Sequence, residues 1–239
     1  MQSVVSALIE ALKTLFHPKM LSLVLWPMLV AAVLWVGMAL FFWTSWVDGL
    51  TAMLQATPLE QWMAQSFLAV VSHYLITVIL LLLLLPAIYV TALMIAAVFA
   101  MPMMVNHVAR KYYPELELKK GGSTAGSIAN AAVAIVVYCV GWVLSLPFWL
   151  VSPFALVLPI ILMAYLNQRL FRYDALAEHA SREEYEQVIE RSAVKLYLLG
   201  AIVGLLQFVP LLNLFSPIYV GLAFIHLCLA ELKQLRQPA

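Results

Sequence analysis

Phe208-Val-Pro210-Leu-Leu-Asn213-Leu-Phe-Ser216-Pro217-Ile-Tyr-Val-Gly221 sits in the middle of an apolar run that extends from Leu196 to Leu229. The run is too long for one bilayer crossing and short for two, since one helical span needs about 20 residues. Pro210 and Pro217 interrupt it at its centre, with Asn213 and Ser216 between them. Proline inside a helix removes a hydrogen bond and clashes with the preceding turn. Backbone left unpaired at membrane depth must be buried in protein or line a wet cavity. The stretch therefore predicts a turn between two half-helices, either a re-entrant hairpin or a tight pair of short spans.

The rest of the chain fits a membrane setting. Of 239 residues, 65% are hydrophobic and 10% charged, and the mean hydropathy is +0.98. Several apolar runs exceed the length that spans a bilayer, so the class is a polytopic helical membrane protein. A formal net charge of +1 gives no reason to expect a nucleic-acid partner. Cys139 and Cys228 lie in apolar runs and form no Cys-x-x-Cys pair, so they do not report a redox compartment. The first residues lack the basic start and cleavage site of a signal peptide.

In chain order, residues 1–16 read as an amphipathic helix. Val5, Leu8, Ile9, Leu12, Leu15 and Phe16 recur at helical spacing, while Glu10 and Lys13 face away. It can lie in the membrane interface or pack on protein. His17-Pro18 ends it. Residues 20–47 form a first transmembrane segment, with Pro27 in its early turns and Trp35, Trp43 and Trp46 as interfacial anchors. A polar connection over 48–66 contains no Lys or Arg. Residues 67–105 are read as one long transmembrane helix bent at Pro86, because Leu-Leu-Pro-Ala-Ile has no residue suited to a turn. A basic connector over 106–127 follows; its glycines come after the lysines, the reverse of a phosphate-cradling loop.

Residues 128–166 form a third apolar stretch, broken by Pro147, Pro153 and Pro159. Segment 167–195 is polar, and Ser181-Arg-Glu-Glu184 is a capping-box sequence that starts a helix at Arg182. The acidic run Glu183, Glu184, Glu186 and Glu190 reads as a solvated face. The last apolar stretch, 196–229, precedes a tail with Lys233 and Arg236.

Every Lys and Arg falls in the N-terminal segment, 106–127, 167–195 or the tail, and none in 48–66. The positive-inside rule then places both termini and these segments in the cytoplasm. Stretches 128–166 and 196–229 must leave that side and return, which makes each a proline-broken hairpin. They share a weak repeat: Pro147 and then Ser152-Pro153 in one, Pro210 and then Ser216-Pro217 in the other. Serine before proline suits a helix start, and paired broken segments point to transporter sites.

This layout resembles the CysZ-type sulfate permeases, which share the etoposide-induced-protein-2.4 domain. The resemblance rests on the short first helix, His17-Pro18, a first span containing Pro27, and Pro210-Leu-Leu-Asn213 with Gly221 downstream. It implies two long spanning helices, two hairpins that penetrate the membrane, a homo-oligomer in the bacterial inner membrane, and uptake of sulfate. The family's sulfate motif is Gly-Leu-Arg after the proline that ends the first helix. Here Lys19-Met20-Leu21 follows Pro18, and lysine supplies a point charge where arginine supplies a fork.

The residues expected to hold an anion are Lys19, Ser152, Asn213 and Ser216. The two hairpin tips would bring helix N-termini together, with their partial positive charge. No enzyme chemistry is expected, because the five histidines are scattered and form no His-x-x-x-His or Ser/His/Asp set. His226 is expected to pair across helices. Met101, Met103, Met104 and His107 resemble a soft Cu(I) set, but methionine also fills gaps in cores, the preferred reading; no cofactor is expected. Two function classes stay open. One is a transporter or channel for a small, sulfate-like anion. The other is a non-transporting membrane interaction or assembly protein, favoured by the missing arginine motif.

Overall fold

A computed structural model of the chain describes residues 2–55, 69–150, 152–206, 209 and 215–237. Among these the regular structure is helical throughout. The helices are α1 (Gln2–Leu15), α2 (Pro18–Gln55), α3 (Ala69–Tyr112), α4 (Thr124–Ser145), α5 (Ser152–Leu176), α6 (Arg182–Leu205) and α7 (Ser216–Arg236), with a 3-10 segment at Leu146–Leu150 between α4 and α5. Four of them contain stretches long and apolar enough to cross a membrane: Pro18–Met53, Ile76–Ala96, Thr124–Trp149 and Ser216–Arg236.

Several boundaries differ from the sequence reading. With 38 and 44 residues, α2 and α3 are about 57 and 66 Å long at 1.5 Å per residue. Helix α2 continues through Asp48 to Gln55, so the polar connection begins later than composition suggests. Helix α3 runs unbroken through Pro86 and on to Tyr112, which makes Asn106–Tyr112 helical where a connector was expected. Polarity ended the prediction early, but the helix does not end with its apolar residues. With 22 residues, α4 is about 33 Å long, enough for a hydrocarbon core of about 30 Å.

The chain divides into two units, Leu25–Ala97 and Met1–Val24 with Val98–Ala239. In the first, parts of α2 and α3 pack through Val47, Ile76 and Leu80, flanked by Trp43, Trp46 and Leu50. The indole Nε1 of Trp35 donates to Thr91 Oγ1 at 2.9 Å, which satisfies a polar pair among apolar side chains. Many other side chains of this part of α2, such as Val33, Leu40 and Phe41, are exposed and apolar. That surface suits lipid and not water.

The second unit is built around α7. From Val220 to Leu229 its side chains are buried, so an apolar helix here faces protein on all sides. Helix α1 packs along it through small residues, Ala7 and Ala11, which let the backbones approach. The Tyr219 hydroxyl donates to Leu8 O at 3.1 Å, and His226 Nε2 lies 3.1 Å from Thr14 Oγ1, so the two helices run in the same direction. Helix α6 presents Gly200 and Gly204 to α5. A Cβ at Gly200 would stand 2.7 Å from Ala164 O, and one at Gly204 2.8 Å from Met163 Cγ. This small-xxx-small spacing permits close helix contact, and Asn167 Nδ2 donates to Gly200 O at 3.2 Å across it.

The capping box at Ser181 is present in full: its side chain accepts from Glu184 N, and the Glu184 side chain accepts from Ser181 N. At the start of α7 the outcome differs from expectation. Phe215 is the N-cap, without a side-chain bond, and Ser216 is already inside the helix. Ser152 is the first described residue of α5. Pro210 and Asn213, at the centre of the predicted turn, lie outside the described residues.

Candidate anion-binding cleft

Lys19 and Ser216 do not line the same cleft. Lys19 lines an open cleft of about 790 Å³ together with Met20 and Ser22 of α2 and Met103, Asn106, His107, Arg110 and Lys111 of α3. The α3 positions follow helical spacing, so residues three, four, seven and eight apart share one face. Ser216 begins α7 ten residues before His226, about 15 Å along the helix axis, and His226 is at the level of Thr14 and Tyr112. Ser216 is buried, and its Oγ has no hydrogen-bond partner among the described residues.

A polar cluster behind the cleft fixes the helix ends that form it. Thr14 Oγ1 donates to Glu10 O at 2.7 Å, which leaves its oxygen to accept from His226 Nε2 at 3.1 Å. The Tyr113 hydroxyl donates to His226 O at 3.2 Å, and the Tyr112 ring meets the His226 ring edge-on at 5.0 Å between centroids. The expected pairing of His226 across helices is thus present, and it joins α1, α3 and α7. Met101 and Met104 are buried, and both lie against the open side of Gly221, with Met104 Cε 2.7 Å and Met101 Sδ 3.5 Å from where a Cβ would be.

The cleft concentrates positive charge. Lys19, Arg110 and Lys111 line it and no carboxylate does. None of the three makes an ion pair among the described residues. The backbone at the start of α2 adds little further donor capacity. His17 caps it, with Nδ1 accepting from Lys19 N at 3.3 Å and the carbonyl accepting from Met20 N at 2.8 Å and Leu21 N at 3.1 Å. Ser22 also spends its hydrogen, on Lys19 O at 2.8 Å. Free donors therefore come from side chains: two ammonium groups, one guanidinium and the exposed Asn106 amide. The His107 and His17 rings meet at a tilt of 52°, with centroids 4.8 Å apart. Burial lowers the His107 pKa, and its neighbours His17, Lys111 and Lys19 lower it further.

A second basic cluster in the same unit is arranged differently. Glu184 accepts from Lys119 Nζ at 2.6 Å and from Arg236 at 2.9 and 3.1 Å. Arg236 also donates to His179 O at 2.6 Å and Glu117 O at 3.2 Å. The Arg236 hydrogen bonds, with help from Lys119, hold the Glu184 carboxyl at about 2. Glu184 was expected on a solvated face; instead it accepts from Lys119, Arg236 and the Ser181 backbone. Nearby, Lys195 Nζ and Ser192 Oγ both donate to the buried Glu231, at 2.6 and 2.8 Å.

Sequence reasoning named Lys19 but not Arg110, Lys111 or Asn106, which line the same cleft. The available signal was the spacing of Met103, His107, Arg110 and Lys111, which repeats on one helical face once α3 is extended past its apolar part. A family description, Sulfate transporter CysZ/Etoposide-induced protein 2.4, matches residues 7–217. No curated protein and no solved structure matches the chain.

Proposed function

From the membership of this chain in the sulfate transporter CysZ/etoposide-induced protein 2.4 family, we propose that it carries a small oxyanion, sulfate-like in charge and shape, across a membrane. The observation that supports this most is the cleft of Lys19, Arg110 and Lys111, three cations gathered with no carboxylate to neutralise them. Like charges held together cost free energy unless a ligand offsets them. A doubly charged oxyanion does so, with the Arg110 fork gripping two oxygens and the lysines adding point charges. Arg110 thereby takes the role of the arginine that is missing after Pro18.

In this reading the cleft is the cytoplasmic mouth, consistent with the bias of Lys and Arg away from 48–66. Ser216, buried and unpartnered at the start of α7, is a second polar station deeper along the chain's apolar helices. The test is uptake of radiolabelled sulfate by proteoliposomes containing the full chain. Arg110→Gln should reduce uptake about tenfold, the loss expected for one hydrogen-bonded charge. Unchanged uptake would remove the cleft from the path. Absence of uptake by the unmodified protein would favour the non-transporting interaction protein.

A further inference from the structure

The glycine pair in the loop before α4 is pinned to the protein. Lys120 N donates to Glu178 O at 3.0 Å, Gly121 N to Ala180 O at 2.9 Å and Gly122 N to Ala177 O at 2.9 Å. A Cβ at Gly121 would stand 2.5 Å from Ala180 O, and one at Gly122 2.6 Å from the Ala177 Cβ. Glycine is therefore needed for the loop to lie this close to the turn between α5 and α6. Between the loop, α5 and the first turns of α6 is a cavity of about 360 Å³, a size suited to a small molecule. Its aromatic wall is held from behind. Tyr173 accepts from Ser123 N at 3.4 Å, and the buried Arg172 hydrogen-bonds Tyr185. The two rings meet edge-on with centroids 5.7 Å apart. Leu176, Ala177 and Ala180 make the rest of the wall apolar.

The same cavity carries one cation and one anion, Arg182 and Glu186. Arg182 Nε and Glu186 Oε1 are 3.7 Å apart, and both side chains are mostly exposed. That distance is beyond hydrogen-bond reach, and exposed pairs hold weakly, so a ligand can part them. Other polar groups at this helix start are already used. Ser181 Oγ accepts from Glu184 N at 3.2 Å and donates to Glu183 Oε2 at 2.8 Å, while Glu184 accepts from Ser181 N at 2.9 Å. A bare anion would meet Glu186 and a bare cation would meet Arg182.

We infer that this cavity binds a small zwitterion of the amino-acid type, with its carboxylate on Arg182, its ammonium on Glu186 and an apolar side chain against the Tyr173 and Tyr185 rings. In an amino acid one carbon separates the two charges, which suits a cation and an anion held side by side one helical turn apart. The guanidinium fork matches a carboxylate. A bound zwitterion braces the glycine loop, the turn after α5 and the start of α6 together.

The experiment uses the full chain in detergent, with binding read by calorimetry and by thermal unfolding. The probes are leucine and phenylalanine, beside leucinamide, which lacks the carboxylate, isocaproate, which lacks the ammonium, and glycine, which lacks the side chain. Leucine or phenylalanine should bind saturably and raise the melting temperature. The three reduced probes should bind at least about tenfold more weakly. Arg182→Gln and Glu186→Gln should each weaken amino-acid binding about tenfold. Both side chains are exposed, so the melting temperature without ligand should stay that of the unmodified protein. Absence of saturable binding by either amino acid would overturn the inference. So would leucinamide or isocaproate binding as tightly as leucine, or full affinity in both variants. None of these readouts involves sulfate, so the proposed transport function stands or falls separately.

Discussion

Two basic clusters in one structural unit have opposite arrangements. Around Glu184, each cation has an acceptor, and the guanidinium of Arg236 meets a carboxylate and two backbone carbonyls. Lys19, Arg110 and Lys111 line an open cleft without a carboxylate, and Lys111 Nζ lies over the Tyr112 ring at 5.2 Å from its centroid. The first cluster joins the loop before α4, the start of α6 and the end of α7, so its charges are used within the fold. In the second, the charges remain free for a ligand. The difference shows that the number of Lys and Arg residues in a segment says little; what matters is whether carboxylates are folded against them.

The comparison is broken most directly by removing Glu184. Glu184→Ala leaves Arg236 and Lys119 without their shared partner, and a stability loss of about 2–3 kcal/mol is expected. Thermal unfolding of the detergent-solubilised protein measures it. Sulfate affinity per folded molecule should stay within about twofold, because the clamp is not the site. A large fall in affinity with normal stability would erase the distinction between the two clusters.

Arg110→Gln should do the reverse. Its melting temperature should stay close to that of the unmodified chain, while sulfate affinity falls about tenfold. Raising the salt from about 0.1 to 1 M should weaken binding to the unmodified protein, since the Debye length drops from about 10 to 3 Å. Binding that ignores both salt and Arg110 would mean that the cleft is not electrostatic in function.

Acid separates the clusters again. Glu184 is held at about 2, below its ordinary 4.5. A carboxylate whose pKa is lowered by folding contributes stability that is full above the unfolded value and lost as pH falls through the folded one. The contribution of Glu184 should therefore decline between about pH 4.5 and 2. A melting-temperature series over that window should decline more steeply for the unmodified protein than for Glu184→Gln. Parallel curves would assign the acid sensitivity elsewhere.

The smallest effect is expected at Lys233, whose Nζ lies 3.2 Å from Glu115 Oε2 with the glutamate side chain 77% exposed. Exposed pairs contribute about 0–1 kcal/mol. Lys233→Ala should shift the melting temperature marginally and leave sulfate uptake unchanged. A loss approaching that of Glu184→Ala would extend the clamp to the second pair.

Much of this was legible in the sequence. Apolar length and composition alone require helices in a membrane, because no other element satisfies the backbone there without a closed barrel. Ser181 and Glu184 announced the start of α6, since a capping box is a local arrangement of four residues. The family likeness follows from prolines and spacing along the chain. What the sequence could not supply was the grouping of distant residues. Lys19 and Arg110 are ninety-one positions apart in numbering and meet only because α3 continues past its apolar part. Glu184 looks solvated by periodicity, but Arg236 and Lys119, from the end of α7 and the loop before α4, fold onto it. Ser216 looked like a cap, but Phe215 takes that place and the serine is already inside α7. Local hydrogen-bonding rules act over a few residues and can be read in order. Which charges meet their partners, and which are left without a carboxylate, is decided by helix packing between segments far apart in the chain.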